Sequence, residues 1–126
     1  MTSSTFGNFS VSLTVTDLAA SRSFYEALGF RVVAGYTAPN MLILANGTAI
    51  VGLFRGMFER NMLTFNPGWD SDGNPLAEFT DVRELQRQVK AAGITPVTEV
   101  DETGHGPASF MLIDPDGNPI LIDQHV

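Results

Sequence analysis

The chain has no cysteine, one lysine, one tryptophan and few basic residues of any kind. Without cysteine there is no disulfide framework, thiol nucleophile or thiolate metal site. Seven basic residues against 14 acidic ones give a net charge of −7. This balance argues against nucleic acid as a partner, because nucleic acid is bound by a basic surface that displaces counterions. A neutral or cationic small ligand is compatible with the charge, and so is simple solubility.

Long apolar runs are also missing. None approaches the roughly 20 residues that a transmembrane helix needs, and the segment Met1–Thr5 has neither the basic nor the apolar stretch of a signal peptide. We therefore expect a cytoplasmic protein with no membrane partner. Its 126 residues suit a single domain covering 1–126, and no linker or low-complexity segment interrupts it.

The sequence repeats one pattern in its two halves. Asp17 and Gly29 are twelve residues apart, as are Asp81 and Gly93, and the two pairs are offset by sixty-four residues. Each Asp suits a helix N-cap, and each Gly suits the left-handed position that ends a helix. The repeat therefore predicts two copies of one supersecondary module, with a cleft between them.

Each half also contains short runs that are predicted to be strands, and the first of them, Phe9–Val15, has the period of two that is typical of half-buried strands. The first half, about 9–54, has Phe9–Val15, Phe30–Val33, Met41–Ala45 and Thr48–Phe54, the last two joined by a predicted type I′ turn at Asn46-Gly47. The second half, about 62–124, has Met62–Asn66, Thr95–Val100, Ala108–Ile113 and Pro119–Gln124. The apolar stripes predicted for the helices are Leu18, Phe24, Tyr25 and Leu28 in the first, and Val82, Leu85, Val89 and Ala92 in the second. Both halves are thus predicted to be βαβββ modules.

Two segments resemble a known family. The stretch Val15–Phe30 (VTDLAASRSFYEALGF) looks like the opening of the vicinal oxygen chelate superfamily, and Asp114–Ile120 (DPDGNPI) resembles its last hairpin. That superfamily includes glyoxalase I, bleomycin-resistance proteins, fosfomycin-resistance enzymes and extradiol dioxygenases. The resemblance implies an α+β fold in which paired βαβββ modules form a curved, eight-stranded mixed sheet, or cup, and it makes a homodimer the better expectation.

The resemblance also implies a divalent metal held by His, Glu or Gln on strand positions that face the cup. The position of the first ligand is occupied by Ser10, and that of the last by Leu121. The strand at 62–66 offers no histidine or acid in the middle position. A hydroxyl binds such a cation weakly and an alkyl group does not bind it at all. We therefore expect no metal cofactor at the usual position.

Two polar residues share a strand face with Leu121 near the end of the chain. Asp123 and His125 alternate with Ile120 and Ile122, which are predicted to face the helices. The pair could act as acid and base, or recruit a metal at an unusual place. Alternatively, the chain end frays and is solvated.

A polar loop of the second half has no counterpart in the first. Asn66, Trp69 and Asp70 lie in or beside it, and the indole and carboxylate suit the stacking of a planar ligand and the pairing of its cation. The structural alternative is that Trp69 closes one end of the cup or packs at a dimer interface.

Three further residues are candidates for ligand binding. His105, between two glycines, could deliver a proton from a flexible loop, or it is an ordinary polar loop residue. Ser10 and Ser12 could hydrogen-bond a ligand if they face the cup, or they belong to an ordinary strand face.

Three hypotheses for function follow. The first is a small-molecule-binding protein similar to bleomycin-resistance proteins, which sequester a cationic drug without catalysis and here would lack the usual metal ligands. The second is a metal-dependent lyase or dioxygenase of the same superfamily with shifted ligands, drawn from Asp123, His125 or His105. The third is an interaction domain that has kept only the fold.

Overall fold

The computed structural model describes residues 5–126; the segment Met1–Ser4, part of the stretch compared with a signal peptide, lies outside the described residues. Within the described part, the chain is α+β, with two helices and seven strands. In chain order they are β1 (Asn8–Thr14), α1 (Leu18–Ala27), β2 (Arg31–Ala34), β3 (Met41–Asn46), β4 (Ala49–Phe54), β5 (Met62–Asn66), α2 (Val82–Ala91), β6 (Ala108–Ile113) and β7 (Pro119–Gln124). Neither helix is long and apolar enough to cross a membrane.

The elements form two compact units. The N-terminal unit contains Ser10–Met62, and the C-terminal unit contains 5–9 together with Leu63–Val126. In the N-terminal unit, β2, β3 and β4 pair antiparallel and β4 pairs parallel with β1. Its core consists of Val32, Leu42, Leu44 and Leu53, with partly buried apolar residues of β1, β4 and α1 packed against it.

Helix α1 begins and ends as predicted. The Asp17 carboxylate accepts a hydrogen bond from the Ala20 N–H at 3.0 Å, and Gly29, with φ +99°, follows the helix. The predicted apolar stripe is only partly correct. Leu18 and Tyr25 pack against the core, whereas Phe24 and Leu28 are 61% and 58% exposed, and no residue of α1 is fully buried.

The hairpin between β3 and β4 differs from its prediction by one residue. Asn46 pairs with Ala49, so the two turn residues are Gly47 and Thr48 rather than Asn46 and Gly47. Gly47 has φ +60° and Thr48 has no positive φ. A positive φ at the first central residue alone is the pattern of a type II′ turn, not the predicted type I′ turn.

In the C-terminal unit, β7 lies between β5, which runs parallel to it, and β6, which runs antiparallel. Helix α2 starts at the Asp81 N-cap, and Gly93, with φ +89°, follows its end. The predicted stripe of α2 is buried except for the exposed Ala92. The core consists of Val82, Leu85, Val89, Phe110, Leu112 and Ile122.

The segment Thr95–Val100, predicted as a strand, forms only a single bridge, between Thr98 and Met111. Two backbone hydrogen bonds support it, Val97 N–H to Met111 O at 2.8 Å and Met111 N–H to Thr98 O at 3.4 Å. Pro96 has no N–H to donate, so the ladder cannot extend in that direction. The second half is therefore βαββ, and the described chain has seven strands rather than the predicted eight.

Candidate functional site

Three side chains of the C-terminal unit form a contiguous group, which we call the aromatic–acid cluster: Trp69, His125 and Asp123. The imidazole of His125 lies parallel to the indole of Trp69, with 4.6 Å between ring centroids and 6° between planes. Its Nε2 is 3.1 Å from Oδ2 of Asp123. An aromatic face, an imidazole and a carboxylate thus meet at one place.

Strand β7 places the acid of this cluster. Asp123 lies opposite Ser109 of β6, while Ile122 lies opposite Phe110. Because successive residues of a strand point to opposite faces, the face that carries Asp123 is the one opposite α2, where Ile122 belongs to the core. His125 follows the last residue of β7 and keeps the same side.

The loop after β5 positions Trp69. The Asn66 side chain is buried, and its Nδ2 donates to the Asp123 carbonyl oxygen at 2.8 Å. The backbone N–H of Trp69 donates to the backbone carbonyl of Asn66 at 3.2 Å, and Trp69 forms a β-bridge with Pro75. Asn66 therefore ties the loop that carries the indole to the strand that carries the acid.

Asp70 makes hydrogen bonds within its own loop. Its Oδ1 accepts from the N–H groups of Asp72 at 2.9 Å and Asn74 at 3.0 Å. The carboxylate is therefore turned into its own loop, which it closes in the manner of an Asx turn. The acid that completes the aromatic group is Asp123, not the sequence neighbour of Trp69.

Burial and the neighbouring imidazole act in opposite directions on the Asp123 carboxyl. Burial raises its pKa above the ordinary value of 3.8, and the charge and hydrogen bond of His125 offset this only in part. The side chain is 31% exposed and that of His125 is 46% exposed, so the pair is open to solvent on one side. A carboxylate that is costly to ionise is a strong partner for a cationic or N–H-bearing ligand.

The residues on both sides of His125 make specific contacts within the C-terminal unit. Gln124 is 1% exposed. Its Oε1 accepts from the Val82 N–H at 2.7 Å, and its Nε2 donates to Asp81 Oδ2 at 3.1 Å and to the Val126 carbonyl at 2.9 Å. The Val126 side chain packs over Gly68, so closely that a Cβ there would lie 2.4 Å from it. These contacts fix the backbone on both sides of His125.

His105 stands apart from the cluster. It is exposed, and within the described residues it makes no hydrogen bond, ion pair or ring contact. The adjacent Gly106 carbonyl accepts from Arg83 Nη1 at 3.1 Å and from Gln124 Nε2 at 3.2 Å. The loop at 101–107, predicted to be flexible, is therefore tied to α2 and β7.

Ser10 and Ser12 belong to the N-terminal unit and are both buried in β1. The neighbouring Thr14 donates its hydroxyl to the Phe58 carbonyl at 3.1 Å. A groove of about 380 Å³ lies beside the end of β1, against Phe24 and Tyr25 of α1. Neither serine lines this groove.

The superfamily's usual metal position, at Leu121, has no suitable donors directly across the sheet. Leu121 pairs with Thr64 of β5 and Met111 of β6, so its neighbours offer a hydroxyl and a thioether, neither of which is a good ligand for a hard divalent cation. Across residues 5–126, no three His, Asp or Glu side chains form a group that could hold a metal ion. The absence of a bound metal stays a prediction.

Comparison with known proteins identifies the class. The Glyoxalase/Bleomycin resistance protein/Dioxygenase superfamily matches residues 9–122, which is most of the chain. The protein belongs to this superfamily, and the resemblance of its two motifs is confirmed. No curated protein matches the sequence.

Solved structures share the fold at low identity. One is described as NAD-dependent benzaldehyde dehydrogenase from Legionella pneumophila, with 19% identity, a TM-score of 0.67, and 94% of this chain and 99% of that chain covered. Methylmalonyl-CoA epimerase from Mycobacterium tuberculosis has 15% identity and a TM-score of 0.66, with 100% and 93% covered. A superfamily member from Vibrio splendidus 12B01 has 19% identity and a TM-score of 0.61, with 92% and 97% covered. These proteins are described with different activities although they share one fold, so the fold alone does not determine the function of this chain.

Proposed function

We propose that the protein binds a small planar organic molecule at the aromatic–acid cluster, without a metal ion at the superfamily's usual position. The observation that carries the proposal is the parallel contact of Trp69 and His125, closed at one end by the Asp123 carboxylate. Flat aromatic surfaces next to a partly desolvated acid are the recognition elements for planar ligands that carry positive charge or N–H donors.

The support of the cluster favours binding over a purely structural role. Asn66 is buried, and its side-chain amide donates a hydrogen bond to the Asp123 carbonyl. The backbone around His125 is fixed by contacts of Gln124 and Val126. A rigid scaffold that holds half-exposed polar groups is the usual construction of a binding site. A core would instead have buried these groups or replaced them with apolar residues.

Charge favours a cation or a neutral molecule over an anion. The net charge is −7, and the acid within the cluster, Asp123, is a carboxylate. This agrees with the resemblance to bleomycin-resistance proteins, which sequester a cationic drug without catalysis. The proposal does not extend to that drug or to its resistance function.

The test compares three molecules of one shape and different charge: benzamidinium, benzamide and benzoate. Each is titrated into metal-free protein by calorimetry, and the emission of Trp69, the only tryptophan, is followed in parallel. We expect benzamidinium to bind, benzamide to bind more weakly, and benzoate to show no binding. Trp69→Ala should weaken benzamidinium binding about ten-fold, in line with the loss of a cation–π contact of about 1–2 kcal/mol.

The control is Phe24→Ala, which removes an aromatic ring that is 61% exposed in the other unit. Its affinity for benzamidinium should equal that of the unmodified protein. Equal affinities for the Trp69→Ala variant and the unmodified protein would show that Trp69 has a structural role and that the cluster is not the site.

A further inference from the structure

We infer that His125 occupies the place of the ligand in the free protein, so that a bound planar cation displaces its side chain from Trp69 and Asp123. The inference rests on the proposed function, since it concerns the same cluster. It adds the class of ligand that fits and an internal competitor that limits its affinity.

The geometry of His125 is that of a bound ligand. One flat ring lies on the indole at 4.6 Å between centroids and 6° between planes, and an in-plane nitrogen of the same ring meets a carboxylate oxygen at 3.1 Å. A planar cation with an N–H in its plane makes these same two contacts, one with the π face and one with the acid. The protein thus fills its own recognition elements with an imidazole.

The side chain can leave without unfolding anything. His125 lies beyond the last residue of β7 and is 46% exposed, and its ring contacts are those with Trp69 and Asp123. Its backbone neighbours are anchored independently: Gln124 through α2, and Val126 against Gly68. Displacement therefore requires only rotation about the side-chain bonds of His125, a motion that is fast for a half-exposed residue.

The contacts also define the ligand class. The nitrogen nearest Asp123, Nε2 of His125, belongs to the ring that stacks on Trp69. An amidinium, an imidazolium or an aminopyridinium has this geometry. A quaternary ammonium has the charge but no N–H, and a carboxylate has the wrong charge for Asp123. We therefore assign the site to planar N–H cations.

The experiment measures benzamidinium and phenyltrimethylammonium binding by calorimetry at one pH and one salt concentration. The proteins are the unmodified chain, His125→Ala, Asp123→Asn and, as the control, His105→Ala, which removes the other histidine. Because an internal competitor reduces apparent affinity by the fraction of open sites, His125→Ala should bind benzamidinium about three- to ten-fold more tightly. Asp123→Asn should bind it at least about ten-fold more weakly, since the charged partner is lost.

His105→Ala should leave the affinity unchanged, and phenyltrimethylammonium should bind more weakly than benzamidinium to every variant. His125→Gln, which keeps an amide near Asp123 but has no ring, is the second variant if the alanine form proves poorly folded by circular dichroism. It should also bind benzamidinium more tightly than the unmodified chain.

The outcomes separate the two proposals. Weaker benzamidinium binding by both His125 variants would make His125 a contact of the ligand, which overturns the displacement and leaves the binding function standing. Equal affinity for phenyltrimethylammonium would overturn the N–H requirement. No binding of benzamidinium by any of these proteins would overturn both the inference and the proposed function for this class of ligand.

Discussion

The carboxylate of Asp123 lies 3.1 Å from the imidazole nitrogen of His125, and yet its pKa is above the ordinary value, because burial outweighs the attraction of the imidazole. In most structural ion pairs the partner lowers the pKa of the acid. Ionisation of Asp123 therefore destabilises the folded protein relative to the unfolded chain. Ionisable groups with shifted pKa values are common at binding and catalytic sites.

This relationship predicts that Asp123→Asn stabilises the protein at pH 7. A carboxyl with a raised folded-state pKa favours folding most when it is protonated, below the unfolded value near 3.8. The carboxyl's contribution to the free energy of unfolding is lost as pH rises through the folded-state pKa, because the ionised form is disfavoured in the folded protein. The thermal midpoint of Asp123→Asn should therefore exceed that of the unmodified chain at pH 7, and the difference should shrink at acidic pH. A lower midpoint at pH 7 would mean that the His125 contact outweighs the burial cost.

The two helix caps are expected to differ in strength. The Asp17 carboxylate accepts from one N–H in an exposed setting. Asp81 accepts from the Arg83 N–H and also from the side chains of Arg83 and Gln124, and Arg83 is buried. Asp17→Ala should cost about 0.5–1 kcal/mol of unfolding free energy, and Asp81→Ala about 2 kcal/mol or more, because a buried guanidinium loses its counterion.

Urea unfolding of both cap variants decides this prediction, with the slope of the transition checked for constancy. Equal costs would show that the Arg83 and Gln124 contacts add nothing to the cap. The pH dependence of the free energy of unfolding is a second measure of the Asp81 cap. Burial raises the pKa of Asp81, but its hydrogen bonds from Arg83 and Gln124 lower it below 3.8 overall. Its contribution is thus present above that value and is lost as pH falls through the lower folded-state pKa.

Gln124 is the third target. Its amide joins α2, the last strand and the loop at 101–107 through hydrogen bonds to Val82, Asp81 and Gly106. Gln124→Leu keeps the volume but leaves the buried Val82 N–H without its partner, so we expect a loss of about 1–3 kcal/mol. Gln88→Leu is the matched control, because within the described residues the Gln88 side chain makes no hydrogen bond. Similar urea midpoints for both variants would contradict the prediction.

Local signals in the sequence were sufficient for much of the fold. The caps at Asp17 and Asp81 and the end of α2 at Gly93 depend on a few neighbouring residues, and the structure agrees with all three. The last hairpin has the predicted strands, Ala108–Ile113 and Pro119–Gln124. The strand predicted at Thr95–Val100 was wrong: only a single bridge forms there, between Thr98 and Met111, and Pro96 has no N–H to donate to a longer ladder.

The contact between Trp69 and His125 could not be predicted from the sequence. Strand parity places Asp123 and His125 on one face, but the contact with Trp69 joins residues 56 positions apart (125 − 69) and depends on how the loop after Asn66 turns. One missed residue did have a signal: Gln124 shares the parity of Ile120 and Ile122, which were predicted to face the helix. A polar residue in such a position needs buried partners, and here it finds them at the start of α2.

The last prediction concerns metal. Titration of Zn²⁺, Ni²⁺, Mn²⁺ and Fe²⁺ by calorimetry should give no micromolar event that Ser10→Ala or Leu121→Ala alters. A catalytic site needs about three ligands with basic lone pairs. Leu121 supplies none, and its partners across the sheet are the hydroxyl of Thr64 and the thioether of Met111. A tight event abolished by His125→Ala would instead support a metalloenzyme with shifted ligands. Leu121→His is the positive control, because it adds an imidazole two residues before Asp123, on the same strand face; if that variant gains affinity while the unmodified chain shows none, the missing side chain at this position is the reason.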